Sequence, residues 1–221
     1  MRQDLPPDLR ALRQEEQRQA LRAAANFAAV CARGDAEGLY NASLWLDESG
    51  DGWRLAMIKI ARLVRVTRQI QDAFVSIWVE HKMLPLRVGD RAVLAKALRV
   101  LMRGGYGDAP LTLYRGAKSH EHSRRIYNFS WSTDIGIARK FAKHWANPDL
   151  NSNGIVLETL APPEAVLLMR QPEDYFDEGE VVVDPFRLDR VKLIETIQSS
   201  DDAKGQPIAF QNCRIDSTKL S

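Results

Sequence analysis

Two glutamates one residue apart, Glu178 and Glu180, stand at the mouth of a short β-branched run, Val181-Val182-Val183, that Asp184-Pro185 closes. In a strand, residues i and i+2 share a face, so the two carboxylates would project side by side. Like charges that close resist joint ionisation, and holding them together costs stability unless something nearby uses them, as a site that stabilises positive charge or moves a proton would. Taken alone, the pair reads as a solvated strand end. Two groups upstream bear on that reading. Arg115 lies between Tyr114 and Gly116 at the end of an apolar run, and Ser132-Thr133 follows the aromatic segment Phe129-Ser130-Trp131. Each has an ordinary explanation too: a surface ion pair for Arg115, a helix cap for the hydroxyl pair.

The elements that must position these residues come in two textures. Apolar residues at helical spacing predict a helix over 8–32, a long helix from Trp53 to Met83 ended by Pro85, and another from Val88 to Arg103 stopped by Gly104-Gly105. Arg62, Arg65 and Arg68 are spaced three apart on the long helix, which reads as a solvated face and alternatively as a basic track for phosphates. From residue 110 the pattern turns to strands: 111–116, 129–132, 155–160, 165–169, 180–183 and 191–196, interrupted by a helix from Ile135 to Trp145 that Thr133 or Asp134 would cap. Trp131 and Phe141 read as core. The fold class expected is α+β, with a helical region over 1–105, a strand-rich region over 106–200 and a polar tail over 201–221.

The whole-chain totals exclude several classes. At 221 residues, 45% of them hydrophobic and 27% charged, the chain has the composition of a soluble globular protein. No apolar run reaches the roughly 20 residues of a membrane helix, and no signal peptide is visible, so a cytoplasmic location is the expectation. Cys31 and Cys213 have no metal-type spacing, and of the four histidines only His120 and His122 are close, so no metal is expected. A net charge of +2 is too small to argue nucleic-acid binding. No G-x-G-x-x-G follows a strand, so a Rossmann mode of dinucleotide binding is unsupported.

Tyr114-Arg115-Gly116, then Phe129-Ser130-Trp131-Ser132-Thr133, then Glu178-Gly179-Glu180 form an ordered triplet. It resembles the R-S-E class of mono-ADP-ribosyltransferases, the arginine-specific-type family shared by bacterial toxins and related vertebrate enzymes. The resemblance covers roughly residues 110–197, and it departs from the family at Asp134, where the third serine of the aromatic–Ser–Thr–Ser segment would stand. It implies a core of two small β-sheets flanking an NAD cleft, with the N-terminal helices packed on it as a helical lobe or, alternatively, forming a separate target- or partner-binding piece. It also implies that NAD is a co-substrate, cleaved to nicotinamide with ADP-ribose passing to an acceptor. Glu180 would stabilise the oxocarbenium-like ribose and Ser132 would hold Glu180 in its rotamer. Arg115 would meet the diphosphate, with Tyr114, Gly116 and Thr133 beside it, and Glu178 would orient an acceptor guanidinium. Tyr175 and Phe176, on the preceding loop, would contact that acceptor.

The acceptor expected on this resemblance is arginine on a protein, with a toxin as one setting and an antidote protein as a conceivable partner. Three alternatives stand beside it: the same transfer to RNA, DNA or a small guanidino compound, an NAD glycohydrolase with water as acceptor, and a catalytically silent NAD-sensing or protein-binding module.

Overall fold

The computed structural model describes residues 7–104, 106–146, 153–170 and 179–198. Six helices precede the first strand: α1 (Pro7–Arg33), α2 (Ala36–Asp47), α3 (Gly52–Ile60), α4 (Arg68–Glu80), α5 (Leu84–Val88) and α6 (Arg91–Leu101). β1 (Leu111–Lys118), the one-turn α7 (Ser119–Ser123), β2 (Ser130–Ser132), α8 (Ile135–Trp145), β3 (Gly154–Ala161), β4 (Val166–Met169), β5 (Glu180–Val183) and β6 (Val191–Ile197) follow. The fold is therefore mixed α+β, helices first, as the change of texture near residue 110 predicts.

The long helix expected from Trp53 to Met83 is two helices. Of the apolar stripe expected there, Ile70, Phe74 and Ile77 are buried but Leu55, Ile58 and Val66 only half-buried; the first helix instead buries Trp53, Ala56, Met57 and Ile60, and its phase breaks at Val64, which is 97% exposed. Thr67 restarts the helix by accepting from the Ile70 N–H at 3.4 Å, a conventional N-cap. The break also dissolves the basic track. Arg62 and Arg65 lie in the connection, Arg68 opens α4, and all three are exposed. Pro85 does not end a helix but begins one: it occupies the first turn of α5, where a missing N–H costs nothing. Gly89, at φ 67°, then stops α5, and Asp90 caps α6 by accepting from Ala92 and Val93 at 3.0 Å each. The helix expected over 88–103 is thus shorter and separately capped.

The strands form one antiparallel order, β4-β5-β2-β1-β3-β6. The expected pair of separate small sheets is a single hydrogen-bonded set, but its two halves meet at one register pair, Tyr114↔Ser132, whereas β1 and β3 run together from Leu111↔Ala161 to Lys118↔Gly154. β2 is three residues long, so the β1–β2 ladder stops almost as soon as it starts.

One core fills the space among the helices, with Phe27, Trp53, Met57, Phe74 and Leu94 fully buried, and it takes in Phe129, just before β2, and Leu167, Leu168 and Val182 from the strands. The helical region and the sheet thus share apolar interior rather than each closing on itself. A buried ion pair reinforces the join: Asp184, completely buried after β5, accepts from Arg99 of α6 through Nε at 2.7 Å and through Nη2, with Arg187 Nε 3.5 Å away. A second core lines one sheet face with Leu113, Trp131, Leu157, Val181 and Val183.

α8 packs on β1 and β3 closely enough that their glycines are required. A Cβ on Gly116 would stand 2.2 Å from the Ala138 carbonyl, and one on Gly154 would stand 1.8 Å from that of Ala142. Trp131 is core as expected. Phe141 is not, being 44% exposed.

Candidate functional site

Glu180 opens β5, Ser132 closes β2, and the two are direct cross-strand partners; Ser132 is in turn registered with Tyr114 on β1. Residues directly opposite in an antiparallel pair place their side chains on one face, Cβ atoms about 5 Å apart. Tyr114, Ser132 and Glu180 therefore form a row across three neighbouring interior strands, although 66 positions separate the first from the last in the chain. Strand alternation turns Arg115 away from Tyr114. Its Nη1 donates to the Ser130 carbonyl at 2.5 Å, bridging β1 and β2 where their ladder ends.

The Glu180 carboxylate is about one-fifth exposed and is met from two sides. Trp78 of α4 donates its indole N–H to Oε1 at 3.4 Å, and Arg170 Nη1, just past β4, lies 3.9 Å from Oε2. The Arg170 backbone N–H also donates to the Glu180 carbonyl at 3.1 Å, which extends the β4–β5 ladder and brings Arg170 alongside the acid. The acid is thus held near cationic and N–H donors while keeping an opening to solvent.

Ser132 is buried, and its Oγ accepts from the Asp134 N–H at 3.0 Å. Asp134 accepts from the Gly136 N–H at 2.6 Å and is the N-cap of α8. The departure from the resembled serine pattern thus has a local role, because a carboxylate at the start of an 11-residue helix complements its dipole. Thr133 is exposed, with its Oγ1 beside Gly179, which takes φ 52° immediately before Glu180. That left-handed turn suits glycine and aims the chain into β5. Tyr114 packs under α8 against Ala138, Ala142 and Val156, and Gly116 faces the α8 backbone, so both serve the packing of that helix. Glu178, Tyr175 and Phe176 lie outside the described residues.

Arg115 belongs to a buried charge cluster. Its Nη2 lies 3.7 Å from Glu121 Oε2 on α7, and both side chains are about 15% exposed. Burial lowers the Arg115 pKa from its ordinary value; the Glu121 carboxylate opposes that, Arg91 adds to it, and Glu180 raises it again. Arg115 is therefore within electrostatic reach of Glu180. Arg91, at the start of α6, donates through Nη2 to the Tyr127 carbonyl and lies 5.5 Å from the Phe186 ring centroid. It too is lowered by burial and raised by Glu121. The buried Nε of Arg115 has no hydrogen-bond acceptor among the described residues, which leaves a guanidinium edge free for an anionic oxygen.

The structure thus brings Arg115, Ser132 and Glu180 onto adjacent strands, and adds Trp78, Arg170, Arg91 and Glu121. The sequence offers one signal for the first of these: a tryptophan beside an apolar stripe buries an N–H that must find an acceptor. Glu121 stands between the two histidines weighed as metal ligands. Among the described residues no group of three or more His, Cys, Asp or Glu could hold a metal ion, and no described helix is long and apolar enough to cross a membrane. No known protein family, curated protein or solved structure matches the chain.

Proposed function

We propose that this chain is a mono-ADP-ribosyltransferase of the R-S-E type, using NAD as co-substrate. The observation that carries the reading is the register of β1, β2 and β5. Arginine, serine and glutamate from three distant stretches stand on neighbouring strands, with Ser132 directly opposite Glu180 and Arg115 within reach of its charge. The near-separation of the sheet into two halves at Tyr114↔Ser132 is compatible with a cleft between two small sheets.

In this reading the bond between nicotinamide and ribose breaks, and its electron pair leaves with nicotinamide. Positive charge builds on the ribose as an acceptor nucleophile bonds to the same carbon and gives up its proton to the Glu178 carboxylate. Glu180 stabilises that charge, and preorganised charge of this kind is usually the largest catalytic contribution. Ser132 and Trp78 fix the carboxylate. Arg115, with an unmatched Nε, takes diphosphate oxygens. Glu178 directs transfer to an arginine side chain, whose high pKa otherwise makes it a poor nucleophile.

The test is incubation with labelled NAD and a cell extract, followed by sorting the label between protein, nucleic acid and free ADP-ribose. Label on protein arginine, and a loss of about 100-fold or more in Glu180→Gln, are expected. Full activity in Glu180→Gln would sink the reading. Free ADP-ribose as sole product would make the chain a glycohydrolase instead.

A further inference from the structure

Arg91 and Arg115 come from separate regions, the start of α6 and the middle of β1, yet their guanidiniums converge on one short segment. Arg91 donates to the carbonyl of Tyr127, and Arg115 to that of Ser130. They stand close enough that the charge of Arg91 acts on Arg115. Two like charges in a half-buried place repel, and Glu121 is the counter-charge to both.

That compensation is incomplete. One carboxylate faces two guanidiniums. Glu121 Oε2 is buried, accepts no hydrogen bond among the described residues, and stands 3.7 Å from Arg115 Nη2, beyond hydrogen-bond length. The Nε atoms of Arg91 and Arg115 are buried with no acceptor in the same way. Buried polar atoms in native proteins are almost always matched, so three unmatched ones in one cluster mark a place shaped for another occupant.

We infer that Arg91 and Arg115 form a paired guanidinium site for a diphosphate, and that Glu121 is a resident counter-charge which the diphosphate displaces. The naming of NAD as the diphosphate's source rests on the function proposed above; the site itself does not. With Glu121 in place the three groups sum to one positive charge. With it swung away they present two, matching the two negative charges of a diphosphate diester, and each planar fork can take two oxygens. Glu121 is able to leave: it rides on α7, a five-residue helix with no buried residue, and its Oε1 is tethered by the Lys118 N–H at 3.3 Å. Arg91 also lines an open cavity of about 520 Å³ with Asp51, Arg54, Arg87 and Asp90.

Calorimetric titration of the full chain with inorganic pyrophosphate, and separately with NAD, tests this. Arg91→Gln and Arg115→Gln should each weaken pyrophosphate about tenfold or more, and Glu121→Gln should tighten it by a similar factor. Arg91→Lys, which keeps the charge but not the fork, should recover part of the loss and replaces Arg91→Gln if that variant does not fold. Thermal melts serve as the folding control. Wild-type affinity in both Arg91→Gln and Glu121→Gln would overturn the proposal and leave Glu121 an ordinary ion-pair partner. So would a wild-type chain that binds no pyrophosphate. If the pyrophosphate pattern holds but no nicotinamide is released from NAD, the site stands and the transferase reading falls.

Discussion

The indole N–H of Trp78 donates to Glu180 Oε1 across 3.4 Å, joining the fourth helix to the first residue of β5 over 102 positions of sequence. Trp78 is only 6% exposed and packs edge-on against Phe129, with ring centroids 6.3 Å apart, so its indole has little freedom to turn away. The helical region thereby acts directly on the acid that the proposed function gives to NAD cleavage, beyond sharing a core with the sheet.

Trp78→Phe keeps the apolar ring and removes the donor. A hydrogen bond to a charged group contributes about 1.5–3 kcal/mol, and at this length the low end applies, so kcat for nicotinamide release should fall about tenfold. KM for NAD should hardly move, because the hydrogen bond removed is one to the acid. Equal changes in both constants, or in neither, would reduce Trp78 to a packing residue.

Much of this arrangement is legible in the sequence, and the rest is hidden for identifiable reasons. The β-branched run 180–183 and the α8 boundaries 135–145 coincide with the observed elements, because alternation, helical period and an Asx cap are local signals. The break between α3 and α4 is hidden because Val66 looks like continued stripe; the exposure of Val64 and the cap at Thr67 show that the phase is lost. Arg115, Ser132 and Glu180 can be singled out as an ordered triplet, but the partners of Trp78, Arg91 and Glu121 cannot. Their roles depend on how α4, α6 and α7 dock, which no spacing encodes. Gly116 illustrates a second limit. Its place beside Arg115 suggests a ligand contact, whereas the structure sets it against the α8 backbone.

Gly116→Ala should therefore destabilise the fold. The added Cβ would lie 2.2 Å from the Ala138 carbonyl oxygen and 2.4 Å from the Ala142 nitrogen, and backbone atoms cannot swing aside as a side-chain tip can. Overpacking of this kind costs about 1–3 kcal/mol, and α8 would have to lift from β1 to relieve it. Urea unfolding should show the loss in midpoint with an unchanged slope. Weakened NAD binding at unaltered stability would instead assign Gly116 to the ligand.

Cys31 gives a pH-dependent prediction. It is a free thiol on α1 with no exposed surface, and burial pushes its pKa from 9.0 up to about 12. The thiolate is the reactive form, so the native chain should leave Cys31 unalkylated at neutral pH and label it only in denaturant. The sign of the linkage follows from the two pKa values. Below pH 9 the thiol is protonated in both states and adds no pH dependence. Between pH 9 and about 12 the unfolded chain releases a proton that the native state retains, so stability falls as pH rises across that window. Cys31→Ala leaves a small cavity, which lowers stability at every pH, but it removes the alkaline slope that the thiol contributes. The difference in unfolding free energy between wild type and Cys31→Ala should be constant below pH 9 and shrink above it. A difference that stays flat through the alkaline range would show that Cys31 ionises as readily in the native chain as in the unfolded one.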